Sequence, residues 1–136
     1  MATLRLVRIK CGQVPERGNL EDIYTNDRLK EGVEVLGRGQ YIHDEDLTSI
    51  VKAVPNLPPH NSFLKISMDL LKALEGAAED LLASIRADAP EDGEELDEDT
   101  IFNIDIEATI SHLAKWIAEH LGTHGEQVAL VVESDD

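Results

Sequence analysis

The chain has 136 residues, 42% hydrophobic and 29% charged, a length and mixture suited to a single domain spanning 1–136 that folds without disulfides or metal. Twelve Lys and Arg against 28 Asp and Glu leave a formal net charge of −16, which argues against direct nucleic-acid binding and against anionic membrane surfaces. The longest apolar run, Val128–Val132, is five residues, too short to span a bilayer, and the N-terminus has no apolar core of signal-peptide length.

Thr3 to Cys11 reads as a strand, with Leu4 and Leu6 on one face and Val7 and Ile9 on the other. Cys11 is the only cysteine, so no internal bridge can form. At the end of an alternating apolar segment it reads as a buried structural thiol. With no Asn-x-Ser/Thr sequon in the chain, a reducing cytoplasmic location is the expectation. Gly12 to Asn19 is loop-like. Residues 20–31 fit a short helix through Leu20, Ile23 and Tyr24, ended by Gly32. Val33 to Ile42 has strand character, interrupted at Gly37 and Gly39.

Asp44 opens a short helix near 45–54, in which Leu47, Ile50, Val51 and Val54 share a face and Pro55 is the stop. Asn56 to His60 is a stiff connector. The spacing then predicts a long amphipathic helix over 63–87, with Phe63, Ile66, Leu70, Leu74, Leu81 and Ile85 on one side. Gly76 within it suggests close packing of another element. Residues 88–99 form an acidic loop. Phe102, Ile104 and Ile106 alternate with polar residues, which predicts a strand over 101–107. A second helix follows over 108–121, ended by Gly122. Gln127 to Val132 is an apolar strand, and 133–136 is an acidic tail expected to fray. The implied fold class is α+β: a small mixed sheet packed against two main amphipathic helices (63–87 and 108–121) and the short helix near 45–54.

Charge is unevenly placed. Residues 1–65 hold nine basic and nine acidic side chains, and residues 66–136 hold three basic and nineteen acidic. Solvent adaptation would acidify the whole surface, so the asymmetry points to a partner.

Chemistry-bearing patterns are weak. Asp88, Asp92, Gly93, Glu94 and Asp99 fall at calcium-loop spacings, but Pro90 occupies a ligand position and Asp99 stands where a bidentate Glu is usual. His120 and His124 are four apart, yet Gly122 between them argues against a helical zinc pair, and HExxH is absent. The acids after His43 (Asp44, Glu45, Asp46) suit a helix N-terminus better than a metal. No GxSxG elbow, cysteine-protease signature or complete phosphate loop occurs. No cofactor, metal or catalytic residue is expected, and the chain reads as a non-enzyme.

Interaction residues are the remaining candidates. His112, Trp116 and His120 line one edge of the helix over 108–121, beside its apolar face. The plainer reading is that Trp116 seals the domain's own core with the histidines at its boundary, and the functional one takes Trp as an anchor type and His as a pH-sensitive rim. Glu91, Asp92, Glu94, Glu95, Asp97, Glu98 and Asp99 supply concentrated charge. The expected function is a non-enzymatic protein-binding or assembly subunit with a strongly acidic C-terminal half. An apolar C-terminal strand able to pair across a boundary allows a homo-oligomer. The alternative is a nucleic-acid mimic whose acidic half occupies the basic site of a DNA- or RNA-binding protein.

Overall fold

A computed structural model describes residues 2–10, 15–26, 28–58, 60–87 and 97–134. Cys11, positions 88–96 and with them Glu91, Asp92, Glu94 and Glu95 lie outside the described residues.

The first strand, β1 (Ala2–Ile9), is followed by β2 (Arg17–Asn19) and then by an excursion. The excursion holds a 3-10 turn (Leu20–Asp22) and the hairpin β3 (Tyr24–Thr25) and β4 (Arg28–Leu29), where one short helix was expected. Asn26 takes the left-handed backbone the hairpin turn requires, and Gly32 does the same on entry to β5 (Val33–Ile42). Next come α1 (Asp44–Ala53), β6 (Ser62–Lys65), α2 (Met68–Ala87), α3 (Glu98–His124) and β7 (Val128–Ser134). The fold is α+β, as the sequence implies.

Five strands form one sheet in the order β2-β6-β7-β1-β5. Every described pairing is antiparallel, so the sheet is not mixed. The cause lies in the connection from β6 to β7. Two antiparallel helices return the chain to the end of the sheet it left, whereas a single crossover helix would make a parallel pair.

Three sequence expectations are corrected. The helix over 63–87 begins only at Met68, because 62–65 is a strand. That strand buries Phe63 on one face of the sheet and Leu64 on the other. Each burial stabilises by roughly 1.5–3 kcal/mol, far more than the few tenths per residue that helix propensity offers. Ser67 then caps α2, its hydroxyl accepting from the Leu70 amide at 3.3 Å.

The strand over 101–107 does not exist. One helix runs from Glu98 to His124, through Gly122, and ends at Gly125 with φ of 64°. Asp97 starts it, accepting from the Thr100 amide at 2.7 Å, and Glu98 and Asp99 complement the helix dipole in the first turn. The acids 97–99, read as the end of a loop, are therefore the cap and first turn of α3. Finally, Glu133 and Ser134, read as the start of a frayed tail, are β7 residues paired with Thr3 and Ala2, and residues 135–136 lie outside the described residues.

The core has two parts. On one face of the sheet, Leu4, Leu6, Leu64, Leu130 and Val132 pack under α1, α2 and α3. On the other, Val7, Ile9, Phe63, Ala129 and Val131 are covered by Ile23 with Leu20, Tyr24 and Leu29 from the excursion. The central strands β1 and β7 are thus buried on both faces, which is why Val128–Val132 is apolar without alternation.

Candidate functional site

Helix α3 carries more apolar surface than the sheet can cover. Ile106, Ile110, Leu113 and Ile117 face the core and are buried. Ala114 and Thr100 are also buried, on the side toward α2. A second set lies at 101, 104, 108, 111, 115 and 118, spaced alternately three and four residues apart, and so occupies a different face. Ile101 and Ile104 in that set are 47% and 37% exposed. Phe102, one turn before the buried Ile106, is 38% exposed. That face is apolar over its first half, through Ile101, Ile104 and Ala108, and carries Ser111 and Lys115 further on before Ala118.

The outward face of α3 joins a groove shared with α2. The groove, about 340 Å³, is lined by Ala78, Leu82, Ala114, Ala118 and Ser111, with Glu75, Glu79, Glu107 and Lys115 as its charged members. The Ser111 hydroxyl donates to Glu107 at 2.7 Å and holds that carboxylate at the rim. The alanines leave the floor open to close approach. Gly76 is exposed to open space rather than packed against another element: a Cβ built there meets nothing within 4 Å.

Charge is arranged differently on the two sides of the protein. The cations of β1, and Lys10 just after it, meet acids: Arg5 Nε lies 3.4 Å from Glu133, Arg8 3.8 Å and Lys10 3.0 Å from Glu34. The Lys10 ammonium holds the Glu34 carboxyl below its usual range. Among the described residues, no carboxylate of α2 or α3 has an ion-pair partner.

The predicted site residues separate. Trp116 is 9% exposed and belongs to the helix-side core, so it seals the interior rather than presenting an anchor. His120 packs edge-on against its ring at 6.1 Å and donates from Nδ1 to the Trp116 carbonyl at 2.9 Å. His120 and His124 do share a continuous helix, with ring centroids 6.4 Å apart. Among the described residues, though, no three His, Cys, Asp or Glu side chains are grouped to hold a metal ion. His112 is at the surface, 3.1 Å from Gln40 of the edge strand β5. Asp97, Glu98 and Asp99 are brought together at the start of α3, one turn or less before Ile101. The sequence reading missed Ile101, Ile104, Leu82 and the groove alanines. Their signal was present as the three-four spacing through 101–118, hidden by assigning 101–107 to a strand.

A second cleft, about 730 Å³, opens on the other sheet face between Arg5, Leu20, Glu21, Tyr24, Asn26 and Glu133. Its polar groups are largely engaged with one another. The Tyr24 hydroxyl donates to Glu133, whose other oxygen faces Arg5. Burial, then the hydrogen bond and charge of Glu133, push the Tyr24 phenol up to about 12. Such a phenol stays protonated at neutral pH and keeps its hydrogen bond to Glu133, which pins the excursion to the sheet.

No protein-family model matches this chain, and neither does any curated protein or solved structure.

Proposed function

We propose that this protein is a non-catalytic protein-binding subunit whose docking surface is the outward face of α3 together with the α2–α3 groove. The observation that supports this most directly is the exposure of Ile101 and Ile104 on a helix whose sheet-facing side is already filled. Large apolar side chains clustered on one face and rimmed by acids mark an interaction surface more often than a solvent face. The state of the polar groups supports a non-catalytic reading. Hydroxyls of Thr48, Ser49, Thr109 and Thr123 donate to carbonyls four residues back on their own helices, and Ser111 donates to Glu107. His112 and His120 are engaged with Gln40 and with a backbone carbonyl. Apart from Ser111 on the Glu107 carboxylate, these contacts do not pair a hydroxyl with a side-chain base.

The acidic half fits a docking role as a source of long-range attraction, which raises the association rate of a basic partner. The test is site-specific photo-crosslinking in the native cell. A photoreactive residue at Ile101 or Ile104 should capture a discrete protein that the same residue at Arg38, exposed on the edge strand β5, does not. Identical products at all three positions, or none, would remove this reading. Capture only through acidic positions at the α3 start, lost in moderate salt, would favour the nucleic-acid mimic instead.

A further inference from the structure

Resting on that reading, we infer that the occupant of the α2–α3 groove is an amphipathic helix with Lys or Arg flanking its apolar strip, which completes a three-helix layer. Three observations converge on this chemistry. The first is periodicity. Ile101, Ile104, Ala108 and Ala118 fall, together with Ser111 and Lys115, at positions that repeat every three and four residues, the spacing with which one helix meshes with another. Their span corresponds to about 26 Å of helix axis, so the occupant needs about 18 residues.

The second is the shape of the floor. Ala78, Ala114 and Ala118 line the groove beside Leu82. Small floor residues let a third helix settle at the usual interaxial distance of about 8–10 Å, with its own large apolar side chains directed at Leu82, while Ile101 and Ile104 extend the apolar surface along α3 outside the groove lining.

The third is charge. Asp105 and Glu107 flank the Ile104–Ala108 segment on its two sides, the positions that select a partner in paired helices. Glu75 and Glu79 line the α2 wall. Asp97 stands one turn before Ile101. Against them the groove sets one cation, Lys115. A helix with Lys or Arg on both sides of its apolar strip meets carboxylates that have no ion-pair partner among the described residues. A second copy of this chain would bring the same acidic rim, under a net charge of −16 on each protomer, and like charges facing across an interface oppose it. Residues 91–95 of the chain's own connector are four acids and a glycine and would be repelled equally.

The experiment uses the full chain and three fluorescent peptides of about 18 residues each. One carries Leu at the core spacing with Lys flanking it. The second has Glu in place of Lys. The third has the composition of the first in scrambled order. At physiological salt the Lys-flanked peptide should bind saturably, gain helicity on binding, and bind at least about tenfold tighter than either control. The double substitution Ser111→Arg and Ala118→Arg, which fills the groove and inverts its charge, should weaken that peptide by at least about tenfold with an unchanged circular dichroism spectrum. Equal binding of the scrambled peptide would overturn the inference, since it would mean charge attraction without a helical groove. Equal binding of the Glu-flanked peptide would overturn it too, and so would a sedimentation result in which the chain alone forms a dimer lost with Ile101→Ser. The crosslinking at Ile101 separates the two levels of claim. A captured partner joined through a segment that is not a basic helix would leave the docking surface standing and remove its assigned occupant. Failure of both peptide and crosslink would remove both.

Discussion

Alanine at Gly122 should stabilise the protein, whereas alanine at Gly125, three residues later, should destabilise it. Gly122 lies inside α3, outside the left-handed region, and a Cβ built there meets nothing within 4 Å. The substitution therefore adds no clash and removes conformational freedom from the unfolded chain, a gain of about 1 kcal/mol. Gly125 also faces open space, but its φ of 64° and ψ of −150° lie where only glycine is at ease. An L-residue there costs about 1–3 kcal/mol. For a chain of this length, 1 kcal/mol moves the thermal midpoint by about 3–5 °C. Circular dichroism melts with matching urea titrations give both signs in one experiment. Gly76→Ala on α2 meets the same open space and should add about another 1 kcal/mol independently. If Gly122→Ala lowers the midpoint, the helix ends there in a left-handed residue. The continuity of α3 and the stacking of His120 on His124 would then be wrong.

The other predictions concern the core, the sheet cleft and the helix start. Trp116→Ala should cost about 3–5 kcal/mol of stability by urea titration, because its ring fills the core, whereas Ile101→Ser should stay within about 0.5 kcal/mol. In a Tyr41→Phe background, ultraviolet titration should find Tyr24 ionising at about 12. Glu133→Gln should lower that value without restoring the ordinary one, since burial is the largest cause. The raised value stabilises the fold fully below the ordinary phenol range, and that contribution is lost as pH rises through about 12. Hydrogen bonding from the Thr100 side chain, and then from its amide, holds Asp97 below the usual carboxylate range. Its contribution is therefore present above that range and lost as pH falls through the lowered value. Asp97→Asn should flatten the acid limb of a stability-versus-pH curve.

Legibility in the sequence followed the number of faces an element buries. Helix α1 and the body of α2 each bury one face, and their three-four spacing located them. The errors came where that assumption failed. Phe63 and Leu64 are buried on opposite sheet faces, so their adjacency looked like part of a helical stripe. Ile101 and Ile104 are apolar on the outward face of a helix, so they looked like mistakes in a helix and regularities in a strand. The cap supplied by Asp97 was readable from Asp97-Glu98-Asp99-Thr100, but the acidic residues before it made the whole run look like connector. Gly122 carried a stop signal that Gly125 in fact obeys. Trp116 was correctly placed on α3 beside its apolar side, but sequence alone could not say whether that edge met the sheet or a partner.

The same error marks the face proposed for docking. A one-sided amphipathic pattern is what a helix needs to pack within its own domain, and the residues that break the pattern are those the domain itself does not use. On α3 they are Ile101, Ile104 and Ala108. They lie among acids without ion-pair partners among the described residues, while Arg5, Arg8 and Lys10 on the sheet each have an acid beside them. Balanced charge on β1 lowers its pull on ions and partners, and unbalanced charge on the helices raises theirs. The helix layer therefore combines two features that either alone would leave ambiguous. Surplus acid without apolar groups suits a solvated surface, and exposed isoleucine without charge suits an aggregation-prone one. Together they fit a surface that attracts a cationic segment over distance and holds it by burying its apolar side chains.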